Sequence, residues 1–475
     1  RGVPGPSARR LPPVRARILF RVAPFVLATP LLLGAAAPAP AARPVPADNP
    51  LSTSGPRLTT PVSLLQRSVV CHGDVRHAGP TPVLLVHGTG SAPDESWGPV
   101  YDQLLTSRGI AYCTVALPSR ATTDLQVSIE YVVHAIRQVS ALRRGRIDVL
   151  GHSQGATLPV LAIKYWPDLL GLVEDYIGLA PTFGQGVTGE VQCAMPCTAP
   201  FQQRRAGSAF FQDVTAHPLP TSPQGASLTT IATLTDEIAT PEPTASHLDG
   251  ATNVILQESC PAKAVDHFGL LIDGTVAALV LDGLQHPGPV DPSRVPVTAC
   301  LDQLPPGADP VTVLPAAARA VAADLQANAA ATKLTAEPPV RCWVTPTCAD
   351  ADQRGRLLTR AVRDGRRLVL DVQAPGTLQV MGRSVPLRVG RQVVDLVSVP
   401  NGALRLTTTT SWYRVPALEQ TLALPTVPPR QRPGSRPSNG RGTSLPSTGG
   451  GAGPSGAGLA LLATAAAVVR RRRAV

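Results

Sequence analysis

Gly151-His152-Ser153-Gln154-Gly155 sets a serine between two glycines in the pattern G-x-S-x-G. The glycines permit a turn sharp enough to expose the serine hydroxyl. The apolar run Ile147–Leu150 before it and the helical text Gly155–Trp166 after it supply the strand and helix that such an elbow joins. Ser153 is therefore the candidate nucleophile. A serine hydroxyl needs a base at neutral pH, and the base needs an acid to orient it. In a strand–elbow–helix frame they follow in the order serine, acid, histidine, on loops after the strands. Of nine histidines, His217, His247, His267 and His286 come after Ser153. His267, in AVDHFGLL, stands where a loop meets an apolar segment and is the candidate base. The other three lie in Pro-, Ser- or Gly-rich text and read as solvated. Asp236, just after TTIATL, is the candidate acid, with Glu237 the alternative and Asp249 a weaker one.

Acyl transfer through a serine also requires preorganised donors for the oxyanion. The main-chain N–H of Gln154, next to the nucleophile, is one. Another comes from the loop after an early strand, His87-Gly88-Thr89-Gly90, where Thr89 would add its hydroxyl to its own N–H. No metal or organic cofactor is implied.

These residues need a frame to hold them. Thr81–Val86 and Gly109–Leu117 read as buried strands, and Asp124–Leu142 carries Leu125, Ile129, Val132, Val133, Ile136 and Val139 at helical spacing. Together with Ile147–Leu150, Gly155–Trp166 and the later strand Thr229–Leu234, this is strand and helix in alternation. The fold class is α/β, with a mainly parallel sheet flanked by helices. Residues 349–425 differ: runs such as RLVLDV, TLQVMG and VVDLVSV, split by Gly, Pro and Asn, predict a small β-rich module.

VLLVHGTG, ATTDLQVSIEYVVHAI, VLGHSQGATLPVLA, GLAPTFGQG, TLTDEIATP and AVDHFG occur in that order. In combination they resemble the Candida antarctica lipase B-like α/β-hydrolases, over about residues 64–348. The resemblance implies Ser153, Asp236 and His267 as the triad, Thr89 and Gln154 as the oxyanion hole, and an ester or lipid as substrate. It also implies the disulfides Cys71–Cys113, Cys260–Cys300 and Cys342–Cys348, the last closing a shorter loop here. Cys193 and Cys197 have no counterpart in it, and they lie within residues 184–214, where a cover over the site would sit. Gly151-His152 also departs from the pattern, so the pocket walls do not carry over. Residues 349–425 have no counterpart in it.

The ends read as addresses. Residues 1–41 hold six arginines, no acid and the apolar run VAPFVLATPLLLGAAA, the layout of a secretory signal, with Ala39-Pro40-Ala41 as a cleavage site. Residues 42–63 read as a leader, and the Pro-, Gly- and Arg-rich residues 426–444 as a flexible stalk. Residues 445–475 combine Leu445-Pro446-Ser447-Thr448-Gly449, an apolar tail and Arg470 to Arg473. That resembles the sorting signal of Gram-positive surface proteins. It implies cleavage by a sortase after Thr448, attachment of Thr448 to peptidoglycan, and an apolar tail held at the membrane with its arginines inside. Export fits the eight cysteines, whose even number and lack of interleaved histidines favour disulfides over zinc.

The formal charge of +11 belongs to the ends. Residues 42–348 carry 18 basic and 26 acidic side chains, whereas residues 349–425 carry 11 and six. An acidic catalytic part gives no support to a nucleic-acid role, and no nucleic-acid partner is expected. The expectation is thus an exported, wall-anchored serine ester hydrolase with a monomeric catalytic domain. Two rivals are an acyltransferase of envelope alcohols and a surface binding protein displaying the 349–425 module.

Overall fold

The computed structural model describes residues 55–183, 188–216, 226–345, 358–364, 366–372, 374–396, 404–409 and 418–422. The expected signal, the stalk and the sorting motif with Thr448 lie outside the described residues, as do His217 and Cys348. Among the described residues no helix is long and apolar enough to cross a membrane.

Seven strands form the central sheet: β1 (Val69–His72), β2 (Val83–Val86), β3 (Tyr112–Val115), β4 (Ile147–His152), β5 (Val173–Leu179), β6 (Ser227–Ala232) and β7 (Thr252–Ile255). Their order is β1-β3-β2-β4-β5-β6-β7. β1 runs antiparallel to β3 and all other pairs are parallel. The expected strands around 81–86, 109–117, 147–150 and 229–234 are β2, β3, β4 and β6.

A parallel sheet survives only with both faces covered. Here Leu84 and Val86 of β2 point into one buried cluster, with Val132, Ile136 and Leu158. Val83 and Leu85 point into a second, with Val276 and Val280. The helices Leu125–Arg143 and Gln154–Tyr165 cover the first face, and Gly274–Gln285 covers the second. Each fully buried Val, Leu or Ile contributes about 1.5–3 kcal/mol of transfer free energy. Asp124 caps the first of these helices through Gln126 N at 2.9 Å, and Asp273 caps the last through Thr275 N and Val276 N. A longer helix, Pro310–Ala330, is capped by Asp309 and buries only Val313 and Asp324 fully.

Residues 56–60, inside the segment read as a leader, are tied to this unit. Pro56 O accepts from the buried Trp166 Nε1 at 2.7 Å. Thr59 N and Thr60 N donate to Glu130 Oε2 at 3.0 and 2.7 Å. The cross-strand neighbours Cys71 and Cys113 are disulfide-bonded, as are Cys193–Cys197 and Cys260–Cys300. Cys342 is disulfide-bonded too.

Beyond residue 357 the structure is β-rich, as expected. β8 (Leu358–Asp364), β9 (Arg367–Val372), β10 (Gly376–Val380), β11 (Arg383–Leu387), β12 (Gly390–Asp395), β13 (Leu404–Thr409) and β14 (Leu418–Leu422) form two antiparallel sheets, β11-β10-β13-β14 and β12-β9-β8. Leu368, Leu370, Leu378 and Leu406 share their core.

Candidate active site

Ser153 sits at the carboxyl end of β4 with φ 55° and ψ −125°, a conformation that costs of order 1–3 kcal/mol and persists only when its surroundings impose it. Its neighbours explain how. A Cβ on Gly155 would lie 2.2 Å from the Val86 carbonyl oxygen, and one on Gly151 would lie 2.3 Å from the Gly155 oxygen. Only glycine at both places lets the elbow close onto β2. Ser153 N then donates to Leu179 O at 2.8 Å, fastening the turn to β5.

The candidate acid and base come from the loops after β6 and β7. Asp236 Oδ2 lies 2.8 Å from His267 Nδ1, and both residues are buried, at 6% and 2% exposure. The carboxylate accepts, so Nδ1 carries the proton and Nε2 is left as the basic nitrogen. Asp236 Oδ1 accepts from Ile238 N and Ala239 N at 2.8 and 2.6 Å. Burial raises the pKa of this carboxyl, but the bonds from His267, Ile238 and Ala239 outweigh it and hold the group below its ordinary value.

The alternatives are placed elsewhere. Glu237 Oε2 accepts from the main-chain N–H of His267 at 3.0 Å, so it grips the backbone and leaves the ring to Asp236. Asp249 pairs with the exposed His247 at 3.3 Å, and His286 lies beside Asp282.

Thr89, which lines one pocket with Ser153, is in direct contact with the buried Gln154. Thr89 Oγ1 donates to Gln154 Oε1 at 2.6 Å, and Gln154 Nε2 donates to Ala121 O at 3.1 Å. The anchored amide therefore sets where the threonine hydroxyl points, a contact that spacing did not reveal. His87 steadies the loop: its Nε2 accepts from Leu117 N at 3.0 Å, so its Nδ1 is the donor to Gly88 O at 2.9 Å. Burial lowers its pKa to about 4 and keeps it neutral.

One pocket of about 60 Å³ is lined by Thr89, His152, Ser153 and His267, and also by Phe201, Arg204, Phe268, Leu271, Asp324 and Asn328. Among the described residues no hydrogen bond joins the Ser153 hydroxyl to the imidazole, although both face this pocket. Such contacts often tighten only when substrate is bound. Arg204, Asp324 and Asn328 escaped sequence reasoning because they have no motif, and His152, inside the elbow, was read only as a departure from the family pattern. Asp324 is raised to about 6, chiefly by burial, against the lowering effects of Asn328, His267 and Arg120. Among the described residues no group of three His, Cys, Asp or Glu could hold a metal ion.

No family model matches the chain. Over 225 residues it is 28% identical to lipase B of Pseudozyma antarctica, a match covering 44% of this chain and 64% of that protein. The chain thus spans just under two thirds of the length of this relative. The crystal structure of Aspergillus fumigatus lipase B superposes with a TM-score of 0.58 at 26% identity, covering 63% of this chain and 77% of that one. The fold is that of an α/β-hydrolase. In such a hydrolase frame the elbow, the loop after β6 and the loop after β7 all open at the carboxyl edge of the parallel strands, where α/β sheets bind their ligands.

Proposed function

We propose that the protein is a serine hydrolase of carboxylic esters. The observation that carries this reading is the buried 2.8 Å contact between Asp236 and His267, with His267 lining one pocket together with a serine on a glycine-bounded elbow. Ser153 Oγ attacks the ester carbonyl carbon while His267 Nε2 takes its proton. Asp236 fixes the imidazole and stabilises its charged form. The tetrahedral oxyanion is received by the N–H groups of Thr89 and Gln154 and by the Thr89 hydroxyl, which turns from Gln154 Oε1 to the substrate. His267 returns the proton to the departing alcohol. Water, deprotonated by the same imidazole, then attacks the acyl-enzyme and releases the acid and free Ser153.

The reading extends to location. The signal-like residues 1–41, the disulfides and the motif ending at Thr448-Gly449 support an exported enzyme that a sortase joins to peptidoglycan through Thr448. On this reading residues 64–348 are the catalytic domain and 349–425 a separate basic module. Hydrolysis of a series of p-nitrophenyl esters by the purified protein, with the acid identified as product, tests the activity. Release of the protein from isolated walls by a peptidoglycan hydrolase, and its loss from walls on Thr448→Ala substitution, test the anchor.

A further inference from the structure

The pocket holds polar groups that the proposed hydrolysis does not use. Asp324 and Asn328 are four residues apart on the helix Pro310–Ala330, hence on one face, and both line the pocket. Gly90, next to Thr89, lets that face come close: a Cβ there would lie 2.4 Å from Asp324 Oδ1 and 2.2 Å from Asn328 Nδ2. Asn328 Nδ2 donates to Asp324 O and Oδ2 at 3.1 and 3.2 Å. The remaining oxygens, Asp324 Oδ1 and Asn328 Oδ1, are buried without a hydrogen-bond partner in the protein, and so is Arg204 Nη2. Asp324 is only 6% exposed. Native proteins rarely leave buried polar atoms unsatisfied, and each such atom calls for an explanation.

Two unpaired acceptors and one unpaired cationic donor therefore belong to three side chains that line one small pocket. An alkyl chain would leave all three unpaired. An ammonium group would suit the two oxygens but face the charge of Arg204, and a carboxylate or phosphate would suit Arg204 but face Asp324. Neutral hydroxyls can donate to Asp324 and Asn328 and accept from Arg204. We infer that Asp324, Asn328 and Arg204 form a recognition site for a hydroxylated moiety, so that the preferred substrates are esters carrying a diol or polyol beside the scissile bond. This rests on the ester-hydrolase reading and narrows its substrate class.

The test compares kcat/KM within two matched ester pairs for the full-length protein. Ethyl butanoate against glycerol monobutanoate places the diol on the alcohol side, and ethyl propanoate against ethyl glycerate places it on the acyl side. The expected result is a preference of at least about tenfold for the hydroxylated member of one pair, which also assigns the side, since sites built to bind a hydroxyl reject the analogue lacking it. Asp324→Leu and Asn328→Leu should bring that ratio to within about threefold of unity, and Asp324→Asn, which preserves shape, should lower it at least about threefold. The ratio is internal to each variant, so partial loss of folded protein leaves it unmoved. Ratios near unity in wild type, or a preference that all three variants keep, would overturn the inference while leaving the hydrolase intact. Failure of wild type on all four esters would instead overturn the hydrolase reading.

Discussion

His152 Nε2 donates to the main-chain carbonyl of His267 at 2.9 Å, and the two rings lie 4.8 Å apart. The residue beside Ser153 thus holds the loop that carries the imidazole. Burial, then the nearby His267, lowers the pKa of His152 to about 3 and keeps it a neutral donor. His152→Phe keeps a ring but leaves the His267 carbonyl unpaired in a buried place, at a stability cost of about 1–3 kcal/mol. As a positioning residue it should act on kcat, lowering it roughly 10–100-fold with KM little changed. Steady-state kinetics beside urea unfolding check this, and an unchanged kcat would show that the contact does not position His267.

The Thr89 hydroxyl, held by Gln154 Oε1 at 2.6 Å, needs only to rotate to reach a developing oxyanion. Thr89→Val should lower kcat about 100–1,000-fold, the usual effect of losing one such donor, and Thr89→Ser should restore most of it. Equal activity of the valine and serine variants would remove the hydroxyl from the chemistry.

Asp148 and Asp175 place two carboxyls together in the sheet, with Asp175 N donating to Asp148 Oδ1 at 3.2 Å. Burial first, then the neighbouring Asp175, raises the pKa of Asp148 to about 8. An unfolded aspartate releases its proton near pH ~4, so between these values the folded state binds more protons. The contribution of Asp148 is present below pH ~4 and is lost as pH rises towards 8, at up to about 1.4 kcal/mol per pH unit. Asp148→Asn removes this dependence. Its stability relative to wild type should therefore grow from pH 5 to pH 7.5 in urea titrations, whereas a pH-independent difference would contradict the assignment.

Much of the site was legible because its signals are local. The strand, elbow and helix around Ser153 lie in one continuous stretch, Asp236 follows a run of apolar text, and His267 stands where a loop meets one. Asp236 is already preferred to Glu237 in the sequence; the fold adds where the chain points the two neighbouring acids, one to the ring and one to the backbone of His267. β1, β5 and β7 were not read: β1 and β7 bury only part of their four residues, unlike the fully buried β2 and β3, and β5 carries Glu174 and Asp175 within its apolar run. The helix Pro310–Ala330 went unread for another reason. Its text is alanine-rich, contains Pro315 and buries only two residues fully, so it has no strong apolar stripe. What gives Asp324 its place is the approach of that helix to Gly90, a tertiary contact between residues more than 200 positions apart.

The central claim is that Ser153 is the activated nucleophile. The most direct measurement is reaction of the full-length protein with a fluorophosphonate probe, followed by intact mass and peptide mapping. The account predicts one covalent adduct on Ser153 and none in Ser153→Ala. An unlabelled wild type, or a variant labelled to the same extent, would contradict it.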